Sequence, residues 1–284
     1  MNPIEVLDLS KRFRRYDASR PNSIMAAMLS GWKQLRPAEY FWALRHISFT
    51  VAEGEMVGIV GNNGAGKSTL LKLLGKVGRP DRGSLLLQGR VGALLDLGAG
   101  FHADLTGREN VLINGVVAGL LTREVKRRFE EIVEFAEVGR FIDNPIRTYS
   151  TGMRMRLAFS VAVHTQPDIL LVDEHLAVGD HAFQDKCLDH IAHMKAQGCT
   201  IVLVSHSTEQ IEKICDRAIW LEHGYMRAEG VAASVVEQYL SSQVPAETRS
   251  DDCASDDDAA NEQTALSNRM RSLTTVNASP TQMP

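Results

Sequence analysis

Apolar and polar residues alternate from Ile4 to Leu9, the period-two pattern of a half-buried strand, and the pattern returns at His46–Val51 before a turn at Glu53–Gly54. Met56–Val60 differs: it is an unbroken apolar run bounded by glycine, as expected of a parallel strand covered on both faces. Ile169–Val172 and Thr200–Val204 repeat that signature. From about Leu105 to Ala162 the period lengthens to that of helices. Thr106 with Glu109 three residues later predicts a capping box, and Glu124–Glu137 is charged on one side and apolar on the other. A further helix is predicted over Asp185–Gln197, ending near Gly198. Ala218–Leu221 and Tyr225–Arg227, joined around His223–Gly224, predict a closing hairpin. Strands alternating with helices imply an α/β fold with a largely parallel sheet.

Two segments break this order. Lys11–Pro37 reads as a basic, irregular insertion in which Ile24, Met25, Met28, Leu29, Trp32 and Leu35 fall at helical spacing on one face. Such a stripe packs against its own domain or, with its basic flank, touches a membrane partner or anionic headgroups. After about Gln243 the aliphatics thin out, and Asp251, Asp252, Asp256, Asp257 and Asp258 stand among small polar residues. Residues 244–284 are therefore expected to form a disordered acidic tail, because little apolar surface is available to offset the entropy of ordering.

Composition sets outer limits. The chain has 284 residues, enough for one large domain or two small ones, with 44% hydrophobic and 23% charged residues. A net charge of −4 argues against nucleic acid as the main partner. Cys187, Cys199, Cys215 and Cys253 form no C-x-x-C pair, so the expectation is reduced thiols in a cytoplasmic protein. The N-terminus lacks the basic start and apolar core of a secretory signal, and no apolar run approaches the roughly 20 residues that span a bilayer.

The chemistry concentrates after Val60. Gly61, Asn62, Asn63, Gly64, Ala65, Gly66, Lys67 and Ser68 fit G-x-x-x-x-G-K-[ST] without mismatch, with a buried strand leading in and an apolar-periodic helix from Thr69 leading out. Glycines let the backbone close around phosphates so that successive N–H groups and a helix N-terminus face them. Lys67 suits the β- and γ-phosphates, and the Ser68 hydroxyl suits Mg²⁺. About a hundred residues on, the run Ile169–Val172 delivers Asp173 and Glu174 to its C-terminal edge, where α/β proteins place ligands. Asp173 suits the metal, and Glu174 suits a general base for the attacking water. His206 follows the strand through Val204 and emerges at the same edge, positioned for the γ-phosphate.

The phosphate loop alone fits many nucleotidases. Tyr149-Ser150-Thr151-Gly152-Met153, followed by Arg154-Met155-Arg156-Leu157, resembles the signature motif of ABC ATPases, and the resemblance covers roughly residues 4–240. It implies a P-loop core of ABC type with a mostly helical subdomain at about 100–165, all within residues 1–243. It also implies that Ser150 and Gly152 complete the ATP site of a second copy in a homodimer, that Asp180 is the acid of the D-loop, and that His206 is the switch histidine. Phe13 fits the aromatic that stacks on adenine, with Tyr16 or Phe41 as alternatives. Phe41-Trp42-Ala43-Leu44, Leu97-Gly98-Ala99-Gly100-Phe101 and Leu105-Thr106-Gly107-Arg108-Glu109-Asn110 narrow the likeness to ATP-binding subunits that export O-antigen, capsule or teichoic acid.

That narrower resemblance implies ATP and Mg²⁺ as ligands, two polytopic permease subunits as partners, and a peripheral position on the cytoplasmic face of the inner membrane. The rival readings are another exporter or importer ATPase, or a soluble ABC ATPase without a transport role. The sequence departs from the family where a glutamine is usual: Leu94–Phe101 holds Asp96 as its one acid. Some O-antigen relatives carry a C-terminal β-sandwich that recognises the glycan, and the acidic tail is not expected to replace it.

Overall fold

The computed structural model describes residues 2–15, 39–95, 100–173, 180–205 and 207–243. Its centre is a six-stranded sheet in the order β5-β6-β7-β3-β8-β9, built from Met56–Val60 (β3), Val91–Leu94 (β5), Ile169–Val172 (β6), Thr200–Val204 (β7), Arg217–Glu222 (β8) and Tyr225–Val231 (β9). All neighbouring pairs are parallel except β8 with β9, which form the hairpin expected around His223–Gly224. His223 and Gly224 both have positive φ (48° and 81°), as a tight two-residue hairpin turn requires. Every residue of β3, β6 and β7 is buried, which is why these strands read as unbroken apolar runs.

Because side chains alternate across a strand, each central strand feeds two cores. On one face Met56, Val60, Leu170, Val172, Ile201 and Leu203 pack with Phe159 and Val163 of Thr151–Val163 (α4). Phe183, Cys187, Ile191 and Met194 of His181–Ala196 (α5), Ile211 of Thr208–Ile214 (α6) and Val235 and Val236 of Ala232–Gln243 (α7) complete that core. On the other face Val57, Ile59, Ile169, Leu171, Val202 and Val204 meet Leu70, Leu71, Leu73 and Leu74 of Lys67–Leu74 (α1). A second sheet closes this side. Each such aliphatic contributes about 1.5–3 kcal/mol on burial, so the central sheet is the rigid platform on which the loops at its edges are held.

The second sheet was not anticipated. It is antiparallel, in the order β2-β1-β4, from Ile4–Arg15 (β1), Glu39–Val51 (β2) and Arg82–Leu87 (β4). Thus Lys11–Arg15, read as the start of an irregular insertion, is strand paired to Glu39–Leu44. Asp8 and His46 both have positive φ (49° and 51°) where the register shifts, and His46 Nδ1 lies 2.6 Å from Asp8 Oδ1. These facing irregularities cut the period-two signal short in both strands. The hydrophobic stripe at Ile24–Leu35 lies outside the described residues, as do Tyr16, Asp96 and residues 244–284 with Cys253.

A third core joins Gly107–Val117 (α2), Thr122–Ala136 (α3) and α4 through Val111, Val125, Phe129, Ile132, Val133, Leu157 and Val161. The capping box forms as expected: Thr106 Oγ1 accepts from Glu109 N and Glu109 Oε2 accepts from Thr106 N. The helix predicted to begin at Asp185 begins instead at His181, because the Asp180 carboxylate accepts from Phe183 N at 3.0 Å and caps it four residues earlier. Contacts divide the chain into a unit at Met1–Leu240 and a second at Ser241–Pro284, of which only the end of α7 is described. Among the described residues no helix is long and apolar enough to cross a membrane.

Candidate functional site

The parallel register brings the predicted loops to one edge. Ile59 of β3 pairs with Val204 of β7, and Val172 of β6 pairs with Leu203. Asp173 therefore stands level with Val204 and Ile59, two strands from the point where Gly61 begins the phosphate loop, about 10 Å away at the usual strand spacing. Asp173 is only 9% exposed. Glu174 and His206 are the next residues along β6 and β7's exits, but both lie outside the described residues, as do Ala177, Val178 and Gly179.

The loop itself is shaped by glycine. Gly61, Gly64 and Gly66 have φ of +145°, +81° and +110°, and a Cβ on Gly61 would sit 2.2 Å from the Leu221 carbonyl oxygen. Ala65 N donates to Asn62 O, Leu70 N to Gly66 O, and Gly224 N to Ala65 O, which ties the loop to the β8–β9 turn. Lys67 is buried, and its Nζ donates to Gly61 O at 2.7 Å and Asn62 O at 3.3 Å. The ammonium is thus folded back onto the carbonyls of its own loop. Ser68 and Thr69 follow in the first turn of α1, whose N-cap is Gly66.

A cavity of 440 Å³ opens over this loop. Its lining is the loop itself, Asn62, Asn63, Gly64, Ala65, Gly66, Lys67, Ser68 and Thr69, together with Phe13, Phe41, Trp42, Ala43, His223 and Gly224. Phe13 and Phe41 face each other across β1 and β2, their rings stacked at 5.8 Å with 28° between planes. Two of the three candidates for the base-stacking aromatic therefore meet in the lining of the same cavity. Both rings are exposed, at 42% and 50%, and so available to a flat ligand.

The signature residues lie elsewhere. Ser150 caps α4, its Oγ accepting from Met153 N at 3.1 Å, and it is exposed; neither Ser150 nor Gly152 lines the cavity. Tyr149, which opens the motif, is buried against Gly107 and donates its hydroxyl to Phe141 O at 2.6 Å; burial pushes its phenol up to about 12. Tyr149 thereby anchors the start of the motif to the helical core. Asp180 also lies off the cavity. Its backbone bond from Phe183 holds its carboxyl below the usual range, and its other oxygen pairs with Arg156 Nη2 at 2.8 Å. Arg156 Nη1 reaches Glu137 at 2.8 Å, and Glu137 also pairs with Lys186.

These elements in this order, a phosphate loop, a signature helix and a carboxylate strand, match known proteins. Residues 44–177 fit the model of the ABC transporter family. The O-antigen export system ATP-binding protein RfbB of Klebsiella pneumoniae is 50% identical over 206 residues, covering 72% of this chain and 84% of that protein. The chain belongs to the ABC transporter family. The RfbB protein of Myxococcus xanthus is 49% identical over 243 residues, 84% of this chain but 56% of its own length. The teichoic acids export ATP-binding protein TagH of Listeria monocytogenes is 44% identical over 199 residues, 70% of this chain and 59% of that protein. This ABC ATPase thus spans little more than half of some relatives. Its fold is that of the dimeric ATP-binding cassette MJ0796 bound to ADP and Pi, with a TM-score of 0.65 at 21% identity over 81% of this chain and 98% of that one.

As a member of this family the chain binds a nucleotide and is an ATPase. Several features of the site were missed in the sequence. The Phe13–Phe41 stack depends on the pairing of β1 with β2 on either side of an insertion whose pattern reads as irregular, and the Gly224–Ala65 and Arg156–Asp180 ties join residues far apart in the chain. None has a local pattern.

Proposed function

We propose that this chain is the ATP-hydrolysing subunit of an exporter that moves a lipid-linked polysaccharide, of O-antigen, capsule or teichoic acid type, out across the cytoplasmic membrane. It would work as a homodimer on the cytoplasmic face, attached to two polytopic permease subunits, with residues 1–243 as the ATPase domain, a helical subdomain at about 100–165, and 244–284 as an acidic tail. The carrying observation is that Ser150 and Gly152 stand at the N-terminus of α4, a position suited to an anion, and are separate from the cavity lined by the phosphate loop. The likeness of this motif to the ABC signature supports its meeting the phosphates of another copy. The names of the relatives supply the cargo class.

Mechanistically, the loop N–H groups and Lys67 take the β- and γ-phosphates once the Nζ leaves the Gly61 and Asn62 carbonyls. The base stacks at the Phe13–Phe41 pair in the cavity lining. The Ser68 hydroxyl and the buried Asp173 carboxylate are hard oxygen donors that fit Mg²⁺, and as two ligands they need phosphate oxygens to complete the shell. Bound there, the cation would neutralise charge on the transferring phosphoryl group. Glu174 accepts the proton of the attacking water and His206 contacts the γ-phosphate. Ser150 and Gly152 of the second copy close over the same phosphate. Asp180, through Arg156, connects the N-terminus of α5 to the signature helix.

Glu174→Gln tests this reading. ATP binding should persist while turnover falls by at least about a hundredfold, as removal of a general base does, and cells carrying it should lose surface polysaccharide and retain the lipid-linked glycan inside. Unchanged turnover would remove Glu174 as the base, and unchanged surface polysaccharide would remove the cargo assignment.

A further inference from the structure

The phosphate loop is tied to one residue far beyond the recognised motifs. Tyr239, on the last turns of α7, donates its hydroxyl to Asn62 Oδ1 at 3.0 Å, a link across 177 positions. The geometry that permits it is built in steps. Trp220 of β8 pairs with Val60, the last residue of β3 before the loop. The Tyr239 ring packs edge-on against Trp220, with centroids 5.9 Å apart and planes at 68°. Buried Ala232, Val235 and Val236 seat the helix on the sheet. The phenol is thus carried on a rigid element to a residue two positions beyond Val60.

Asn62 is a consequential residue to hold. Its carbonyl accepts from Ala65 N at 3.1 Å, the bond that closes the loop, and from Lys67 Nζ at 3.3 Å. A tether on its side chain therefore fixes the carbonyl that sets both the curvature of the loop and the resting place of the lysine. We infer that Tyr239 is a positioning residue for nucleotide binding: through Asn62 it holds the phosphate loop in the shape that receives phosphates, making α7 part of the ATP-binding apparatus. Preorganisation of this kind raises affinity by removing an ordering cost at the moment of binding. The inference rests on the reading that residues 61–69 cradle the phosphates.

Tyr239→Phe keeps the ring against Trp220 and removes only the donor. In the full-length chain its KM for ATP and its Kd for a non-hydrolysable ATP analogue should both rise about threefold to tenfold, the range of one hydrogen bond, with kcat within twofold of wild type. A role limited to packing predicts no change in either constant, since the ring is retained. Asn62→Ala should give a similar rise, and the double variant should be no worse than either single one. Lys67→Ala, measured in parallel, separates the two levels: if it binds the analogue normally, the phosphate-loop reading fails. If it loses binding while Tyr239→Phe matches wild type, or if the double variant is fully additive, only the role of Tyr239 is overturned.

Discussion

At the scale of single residues, the site is decided by where backbone and side chain have no room to do otherwise. Gly61 leaves β3 at a φ of +145° with the Leu221 carbonyl oxygen 2.2 Å from where a Cβ would stand. Backbone cannot yield as a flexible side chain does, so Gly61→Ala should destabilise the fold by about 2–4 kcal/mol. Urea denaturation of the two proteins measures this, and equal midpoints would show that the turn relaxes freely. Lys67, Ser68 and the three glycines were legible in the sequence because the motif encodes a local conformation. The sequence offers Phe41 only as an alternative to Phe13, because their contact follows from the long-range pairing of β1 with β2 and has no local pattern.

At the scale of elements, legibility follows burial. Strands β3, β6 and β7 are covered on both faces and stand out as apolar runs, and α2 and α3 carry capping patterns and an amphipathic face. By contrast β4, with the sequence RGSLLL, has no fully buried residue, and α7 buries only Ala232, Val235 and Val236, so neither announces itself. The packing of α4 on α5 carries a further consequence. His164 and His190 lie with ring centroids 5.3 Å apart, both against the Phe135 ring, with Arg128, Lys186, Glu131 and His193 around them.

Burial lowers both imidazoles, His190 to about 4; for His164 the Ser160 carbonyl and Glu131 oppose this while Arg128 and Lys186 add to it, and for His190 the neighbouring His164 and His193 add to it. Their pKa values in the fold lie below the unfolded value, near 6.5, so the unfolded chain takes up protons first as the pH drops. Their contribution is complete above about pH 6.5 and is lost as pH falls towards the folded values. His190→Gln should therefore shrink the loss of Tm between pH 7 and pH 5 by about 2–4 °C. An unchanged difference would mean that other groups govern the acid response.

For the whole molecule, the central sheet explains why distant motifs act together. One edge gathers the exits of β3, β6 and β7, and with them Gly61, Asp173 and Ser205, while the signature helix stands apart with its N-terminus exposed. Both halves of that arrangement are legible in the sequence, but not the tie from Arg156 to Asp180 and Glu137, which links the signature helix to the N-cap of α5 and the C-cap of α3. That network has no pattern in the chain because its members come from three helices. On the proposed reading of a site shared by two copies, it offers a path by which hydrolysis in one copy is felt by the signature helix of the other.

The separation of the two halves is the feature on which the account depends, and its direct measurement is the size of the full-length protein in solution. With Glu174→Gln and Mg-ATP, light scattering should report a doubling of mass relative to the nucleotide-free protein. Adding Ser150→Arg should abolish the doubling while leaving ATP binding to each single chain intact. A protein that stays monomeric with ATP bound, or that pairs equally well with Ser150→Arg, would contradict a site shared between two copies.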